Sequence, residues 1–327
     1  MCATCGCSDD SNVKVVNLQS GQSVIVGHDH SPDHSHPHDH FHPDDHSHEH
    51  NQSHSHDHSH PDDHTHEHDH SHPHDHSHEQ DHSHAQGQSH DHKSDSASEH
   101  SSKISSGSTV ISLEERVLAK NDKLAERNRG WFEGSNILAL NFVSSPGAGK
   151  TALLERTIKD LQTVLSISVI EGDQATLNDA ERIKKTGCKV IQINTGAGCH
   201  LDAEMVSAGL KQLTPPRDSV VFIENVGNLV CPALFDLGEK CKVAILSITE
   251  GEDKPVKYPH MFRAAEILLL NKMDLLPHLD FDIESCKRFA LSVNPKIKIF
   301  EISALRGNGL DAWYEWIKEQ VLSPQLR

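Results

Sequence analysis

The sequence predicts an α/β fold, a doubly wound and mostly parallel sheet spanning residues 110–327. Three observations carry that expectation. From about residue 110, strand-length apolar runs alternate with amphipathic helical stretches. Those runs, such as Ile167–Ile170 and Ile267–Leu270, are continuous rather than alternating, as in strands buried on both faces beneath helices. A glycine-rich turn, Ser144–Thr151, joins one run directly to a helical stretch.

Composition keeps the first third of the chain out of this fold. Of the 30 histidines, 27 lie between His28 and His100, alternating with Asp, Ser, Glu and Pro. Residues 1–108 carry 19 Asp/Glu against 3 Lys/Arg, and 109–327 carry 29 against 27, so the net charge of −18 belongs almost wholly to the N-terminal part. Residues 1–10 read as a Cys-rich head and 11–27 as a short linker segment, in which Val13–Val16 and Val24–Val26 form at most transient extended structure. Residues 28–100 bury too little apolar surface to offset backbone ordering and are expected to be disordered. Ser-rich residues 101–109 read as a flexible linker. The remaining 215 or so residues are enough for an ordinary core.

The elements then follow in order. Leu113, Val117, Leu118 and Leu124 keep a helical period, with Glu114 and Glu115 early and Arg127 and Arg129 late, and Gly130 is expected to end that helix. Next come a strand at Ile137–Val143, a helix from Gly149 to about Thr163, a strand at Ile167–Ile170, a helix near Leu177–Lys185 and a strand at Lys189–Ile193. A helix near Ala203–Leu213 precedes strands at Ser219–Ile223, Val243–Ile248 and Ile267–Leu270. A helix near Ile283–Leu291, a strand at Ile297–Ile302 and a helix at Leu310–Leu322 complete the pattern.

Several classes are excluded. No basic stripe balances the acidic charge, so generic nucleic-acid binding is not expected. The apolar runs fall far short of the roughly 18–20 residues that span a bilayer, and no secretory signal opens the chain. Eight cysteines, three of them within Cys2–Cys7, read as thiols kept reduced for metal work in the cytoplasm.

The turn Ser144-Ser145-Pro146-Gly147-Ala148-Gly149-Lys150-Thr151 has the context of a phosphate loop. Its glycines free backbone N–H groups to converge on phosphate, the helix start adds its dipole, Lys150 reaches the β/γ-phosphates, and Thr151 ligates Mg²⁺. Ser144 stands where the usual first glycine would be. After a later strand, Asn271-Lys272-Met273-Asp274 is a guanine-reading signature: Asp274 accepts from N1–H and the 2-amino group, which adenine lacks. Ser303-Ala304 resembles the third base-contacting loop. The fold is therefore expected to be of P-loop GTPase type. Asp173 and Glu224, at strand ends, are candidates for Mg²⁺ and its waters, and the Gly227 backbone for the γ-phosphate.

Two groups point to metal. Cys199-His200 and Cys231 lie in loops after strands, and two thiolates with one imidazole suit Zn²⁺ or Ni²⁺ with an open position. Cys2-x-x-Cys5-Gly6-Cys7, with the terminal amine, offers a four-coordinate site. The histidine tract offers many weak, exchangeable ones. Cys188, Cys241 and Cys286 read as buried apolar residues.

Taken together these motifs, with Glu171-Gly172-Asp173-Gln174, Gly198-Cys199-His200-Leu201-Asp202 and the run from Glu224 to Pro232, resemble the HypB family of hydrogenase nickel-incorporation GTPases. The resemblance covers the head and about 110–327. It implies a nucleotide-dependent homodimer and slow GTP hydrolysis. It also implies metal at Cys199, His200 and Cys231, a tight nickel site at Cys2, Cys5 and Cys7, and a storage tract. The implied partners are HypA and the [NiFe]-hydrogenase large-subunit precursor. Leu275, Leu276, Pro277 and Leu279, an apolar cluster on the loop after the guanine motif, read either as an expected dimer seam or as ordinary core. A urease-type accessory GTPase lacks the cysteine head and the Cys199-His200/Cys231 arrangement, and a pure storage protein would not need an intact GTPase site.

Overall fold

The computed structural model describes residues 13–26, 105–174 and 177–322. The head, including Cys2, Cys5 and Cys7, and the histidine tract lie outside the described residues.

The predicted architecture is present. Strands β1 (Val13–Asn17), β2 (Ser23–Val26), β3 (Leu138–Ser144), β4 (Ile167–Asp173), β5 (Lys189–Asn194), β6 (Val220–Glu224), β7 (Cys241–Ser247), β8 (Ala265–Asn271) and β9 (Lys298–Glu301) form one sheet. Its order is β2-β1-β5-β4-β6-β3-β7-β8-β9. The seven strands from β5 to β9 along that order are mutually parallel, while β1 runs antiparallel to β5 and β2 antiparallel to β1. The continuous apolar runs are central strands: every residue of β3, β6 and β7 is buried.

Helices cover both faces. On one, α2 (Lys150–Leu161), α3 (Asn178–Lys184) and α8 (Leu310–Leu322) pack Leu153, Leu154, Ile183 and Trp313 against Leu140, Phe142 and Phe222. On the other, α1 (Ser105–Gly134) and α4 (Ala203–Leu213) bring Phe132, Val206 and Leu210 onto Ala139, Ile170 and Ile191. Beside them α5 (Lys254–Lys257), α6 (Pro259–Ala264) and α7 (Ile283–Val293) complete a third cluster with Met261, Phe262 and Cys286 under Ala244, Leu246 and Leu268. Cys188, Cys241 and Cys286 are buried, and burial raises all three thiols well above their ordinary range.

Three expectations need correction. Residues 11–27 are not merely a linker, because Val13–Asn17 adds to the sheet edge with Lys14 opposite Asn194. Val13 and Val15 are 3% and 1% exposed and join the cluster of Ile191, Ile193 and Leu210. The hairpin cannot fold alone, but β5 supplies its partner strand, and Asn17 Oδ1 holds the turn by accepting from the N–H groups of Gln19 and Ser20. The 101–109 linker also shrinks, since α1 starts at Ser105. Gly130 does not end α1, which continues to Gly134. The roughly 1 kcal/mol helix cost of glycine is offset by packing nearby, where Ala125 and Phe132 are buried and Asn128 donates to the carbonyls of Ala203 and Leu237.

The parallel register brings Ser144, Asp173, Asn194, Glu224, Ser247 and Asn271 to the C-terminal end of the sheet, where open α/β sheets bind ligands. The hairpin register also brings Val13, six positions after Cys7, to the Asn194 end of β5, from which the Cys199-His200 turn leaves.

Candidate nucleotide and metal sites

Strand β3 delivers the phosphate loop, and two left-handed glycines shape it, Gly147 at φ 74° and Gly149 at φ 97°. A Cβ on Gly149 would also sit 2.6 Å from Asn271 Nδ2, so conformation and space both require glycine there. Gly149 caps α2 with no side-chain bond, leaving the first-turn N–H groups pointed out of the helix start. Ser144, at the atypical first position, is fully buried and accepts from Lys150 Nζ at 3.0 Å.

The guanine-type motif is tied to this loop. Asn271 Nδ2 donates to Ala148 O at 3.0 Å while Asn271 Oδ1 accepts from Ala304 N at 3.1 Å. Lys272, left-handed at φ 65°, donates from Nζ to Gly147 O at 2.8 Å. Ser303 Oγ donates to Asp274 Oδ1 at 2.5 Å. Gly147, Ala148, Asn271, Lys272, Asp274, Ser303 and Ala304, drawn from three loops, therefore form one hydrogen-bonded constellation.

Thr151 Oγ1 donates to Glu224 Oε1 at 2.7 Å. Burial raises Glu224 to about 7 against the pull of Lys150 and the Thr151 bond. Beside it in register, Glu171 is raised to about 9 by burial, then by the charges of Glu224 and Asp173. The outer oxygens of both, Glu171 Oε2 and Glu224 Oε2, are buried without a hydrogen-bond partner. Two buried carboxylates beside a threonine hydroxyl form a donor set suited to a hard divalent cation such as Mg²⁺. Glu171 is the residue that sequence reasoning left out of this set. Its signal in the sequence is a carboxylate inside an otherwise apolar run, two residues before Asp173 at the strand's end. Gly227 lies against the phosphate loop, where a Cβ would fall 3.2 Å from Pro146 Cα.

The second cluster is Cys199, His200 and Cys231, whose ligand atoms all lie within 4.8 Å of one another. The turn that presents the first two is held by Gly198 N donating to Thr195 O at 2.9 Å and by Thr195 Oγ1 donating to Gly198 O at 2.7 Å. The His200 ring stacks on Phe235 with centroids 3.8 Å apart. Burial lowers His200 to about 4, so its ring is neutral at pH 7 with a lone pair to offer. Cys231 opens a 3₁₀ turn, Cys231–Ala233, seven residues after Glu224. Leu275 and Leu276, part of the expected seam, pack against the third core cluster, and Leu279 is exposed.

Residues 138–301 match the CobW/HypB/UreG nucleotide-binding domain. The hydrogenase maturation factor HypB of Rhizobium leguminosarum is 58% identical over 218 residues, covering 67% of this chain and 73% of that protein. The chain belongs to the HypB family. The Escherichia coli K12 member is 57% identical over 211 residues, 64% of this chain and 73% of that one. Among solved structures, HypB from Archaeoglobus fulgidus aligns with a TM-score of 0.59 at 38% identity, over 62% of this chain and 99% of that one. HypB from Helicobacter pylori in complex with nickel aligns with 0.58 at 35%, over 62% and 95%. The family is one of P-loop GTPases that act as hydrogenase maturation factors. Among the described residues no helix is long and apolar enough to cross a membrane.

Proposed function

We propose that this chain hydrolyses GTP to drive nickel delivery into the [NiFe]-hydrogenase large-subunit precursor. In this reading Lys150 and the N–H groups of Gly147, Ala148 and Gly149 hold the phosphates, and Asp274 reads guanine with Asn271, Lys272, Ser303 and Ala304 positioning it. Thr151 and Glu224, with Glu171 and Asp173 of β4, would hold Mg²⁺, which would supply charge neutralisation at the phosphates. Cys199, His200 and Cys231 hold nickel, or Zn²⁺ in competition with it. Cys2, Cys5 and Cys7 form a further nickel site, and the histidine tract is a reserve. A cytoplasmic homodimer working with a HypA-type chaperone fits the role.

The observation that carries the reading is the single loop from Glu224 to Cys231, which contacts Thr151 at one end and contributes a metal ligand at the other. Motion of this loop toward the γ-phosphate moves Cys231 as well, so nucleotide state sets metal affinity, and by linkage metal sets nucleotide affinity by the same factor. Nickel titration with GDP and with a non-hydrolysable GTP analogue tests this, with a difference of about 5–150-fold expected for a coupling of ordinary size. Equal affinities would sink it.

Capacity and control are separate in this scheme. Deleting residues 28–100 is expected to remove most of the bound nickel per chain and leave the GTP hydrolysis rate within about twofold, since the tract's composition gives it too little apolar surface to contribute to the core. A collapse of hydrolysis would contradict the separation. Helicobacter pylori carries a relative named hydrogenase/urease maturation factor, 35% identical over 216 residues. A nickel-free hydrogenase precursor and a nickel-free urease offered side by side would distinguish the recipients.

A further inference from the structure

The Glu224–Cys231 loop explains how Cys231 would respond to nucleotide, but Cys199 and His200 belong to another segment, the turn after β5. Two asparagine side chains of the loop join the segments. Asn225 is 1% exposed, and its Oδ1 accepts from Leu201 N at 3.1 Å and from Val226 N at 3.0 Å. Its Nδ2 donates to Asn141 Oδ1 at 3.2 Å, and Asn141 Nδ2 in turn donates to Glu239 Oε1 at 3.0 Å, which also takes Lys242 Nζ at 2.7 Å. Its backbone N–H donates to Phe142 O at 3.0 Å. Three residues on, Asn228 Nδ2 donates to Cys199 O at 3.4 Å while its Oδ1 accepts from Val230 N at 2.8 Å. The loop thus grips the Cys199–Leu201 backbone on both sides of His200.

We infer that Asn225 and Asn228 are positioning residues that make Cys199 and His200 follow the nucleotide loop together with Cys231, so that all three ligands respond to GTP as one unit. Asn225 has the role of a pivot. It is buried, its bonds run both to the rigid β3 strand and to the metal turn, and it lies between Glu224, which meets Thr151, and Gly227, which backs on Pro146. A buried amide with both ends engaged leaves a polar group unpaired if either segment moves alone, which penalises independent motion. Asn228 is the outer strut, partly buried and reaching the metal turn through one long bond to Cys199 O. Neither side chain is a metal ligand or part of the nucleotide constellation.

This inference rests on the nucleotide-linked nickel binding proposed above, and the test separates the two. Nickel affinity of the Cys199/His200/Cys231 site is measured in the chain with Cys2, Cys5 and Cys7 changed to Ala and residues 28–100 deleted. Each titration is run with GDP and with the non-hydrolysable analogue, for the parent, Asn228→Ala, Asn225→Ala and Asn228→Gln. The parent should show a ratio between states. Asn228→Ala should reduce that ratio two- to tenfold, as expected for one lost hydrogen bond, and Asn225→Ala should bring it close to one. Both should still bind nickel, and Asn228→Gln should restore part of the ratio. By linkage, nickel should change the preference for the analogue over GDP by the same reduced factor in each variant, and the partial rescue by Asn228→Gln is the readout that a merely loosened fold would not give. Near-ultraviolet circular dichroism identifies a variant that fails to fold, and the partly exposed Asn228 keeps the test decisive if Asn225→Ala does. A parent ratio of one overturns the nucleotide linkage and this inference with it. A parent ratio well above one that persists in folded Asn228→Ala and Asn225→Ala overturns this inference alone.

Discussion

Asp274→Asn is expected to lower the preference for GTP by a factor of about 10⁴ while sparing the fold. A carboxylate presents acceptors to both N–H donors of guanine, whereas an amide presents one acceptor and one donor, so one guanine donor faces another donor at close range. Sites built to pair a specific polar group discriminate by about 10⁴–10⁵ when that pairing is lost. The same change should favour xanthosine triphosphate, whose 2-carbonyl accepts where guanine donates. Ser303 donates to Asp274 Oδ1, and an amide oxygen at that position still accepts from it, so the loop should keep its place. Competition of GTP and xanthosine triphosphate for a fluorescent guanine nucleotide measures the switch. An Asp274→Asn chain that keeps its guanine preference would remove Asp274 from base recognition.

Much of this constellation was readable in the sequence because its parts are local. A phosphate loop is a strand end, a run of glycines and a helix start within eight residues, and Ser144–Thr151 contains all of them. The parallel strands were readable for a related reason: burial on both faces writes itself as an uninterrupted apolar run, as in Ile267–Leu270. What escaped depends on partners far along the chain. Residues 13–17 carry only an alternating Val13/Val15 face, and nothing nearby reveals that β5, some 175 residues later, is the edge that buries it. Short helices α5 and α6 hold too few turns for periodicity to register.

The metal cluster shows the same limit in another form. Cysteine and histidine types in glycine-rich turns marked Cys199, His200 and Cys231 as candidates, yet only the adjacency of β4, β5 and β6 brings two separate loops within 4.8 Å at their ligand atoms. Asn141 and Asn225 were visible as polar residues next to or inside apolar runs, but their pairing across β3 and the end of β6 is a property of register. Asn271, expected in the guanine-reading motif, also braces the phosphate loop through Ala148 O, a role that no spacing within its own motif encodes.

On the proposed function, Cys231→Ala should lower nickel affinity at the Cys199/His200/Cys231 cluster at least 100-fold and abolish the dependence of what remains on nucleotide. Loss of supporting groups around a metal ligand already costs 10–100-fold, so loss of a ligand itself sets a larger expectation. The substitution leaves Cys199 and His200, a thiolate and a neutral imidazole on adjacent residues, to hold the ion with fewer contacts. The effect on the fold should be small, because Cys231 sits in a 3₁₀ turn rather than in the sheet and alanine is nearly isosteric with its first side-chain carbon. Cys188→Ala supplies the control, since Cys188 is equally buried but its thiol donates to Ile167 O at the opposite end of β4. That variant should lose stability and keep its nickel. Titrating both variants in the chain that lacks residues 28–100, with Cys2, Cys5 and Cys7 also changed to Ala, removes the other binding elements from the readout. Equal nickel affinity in Cys231→Ala and its parent would mean that the cluster is assembled from thiols and imidazole for some purpose other than holding this ion.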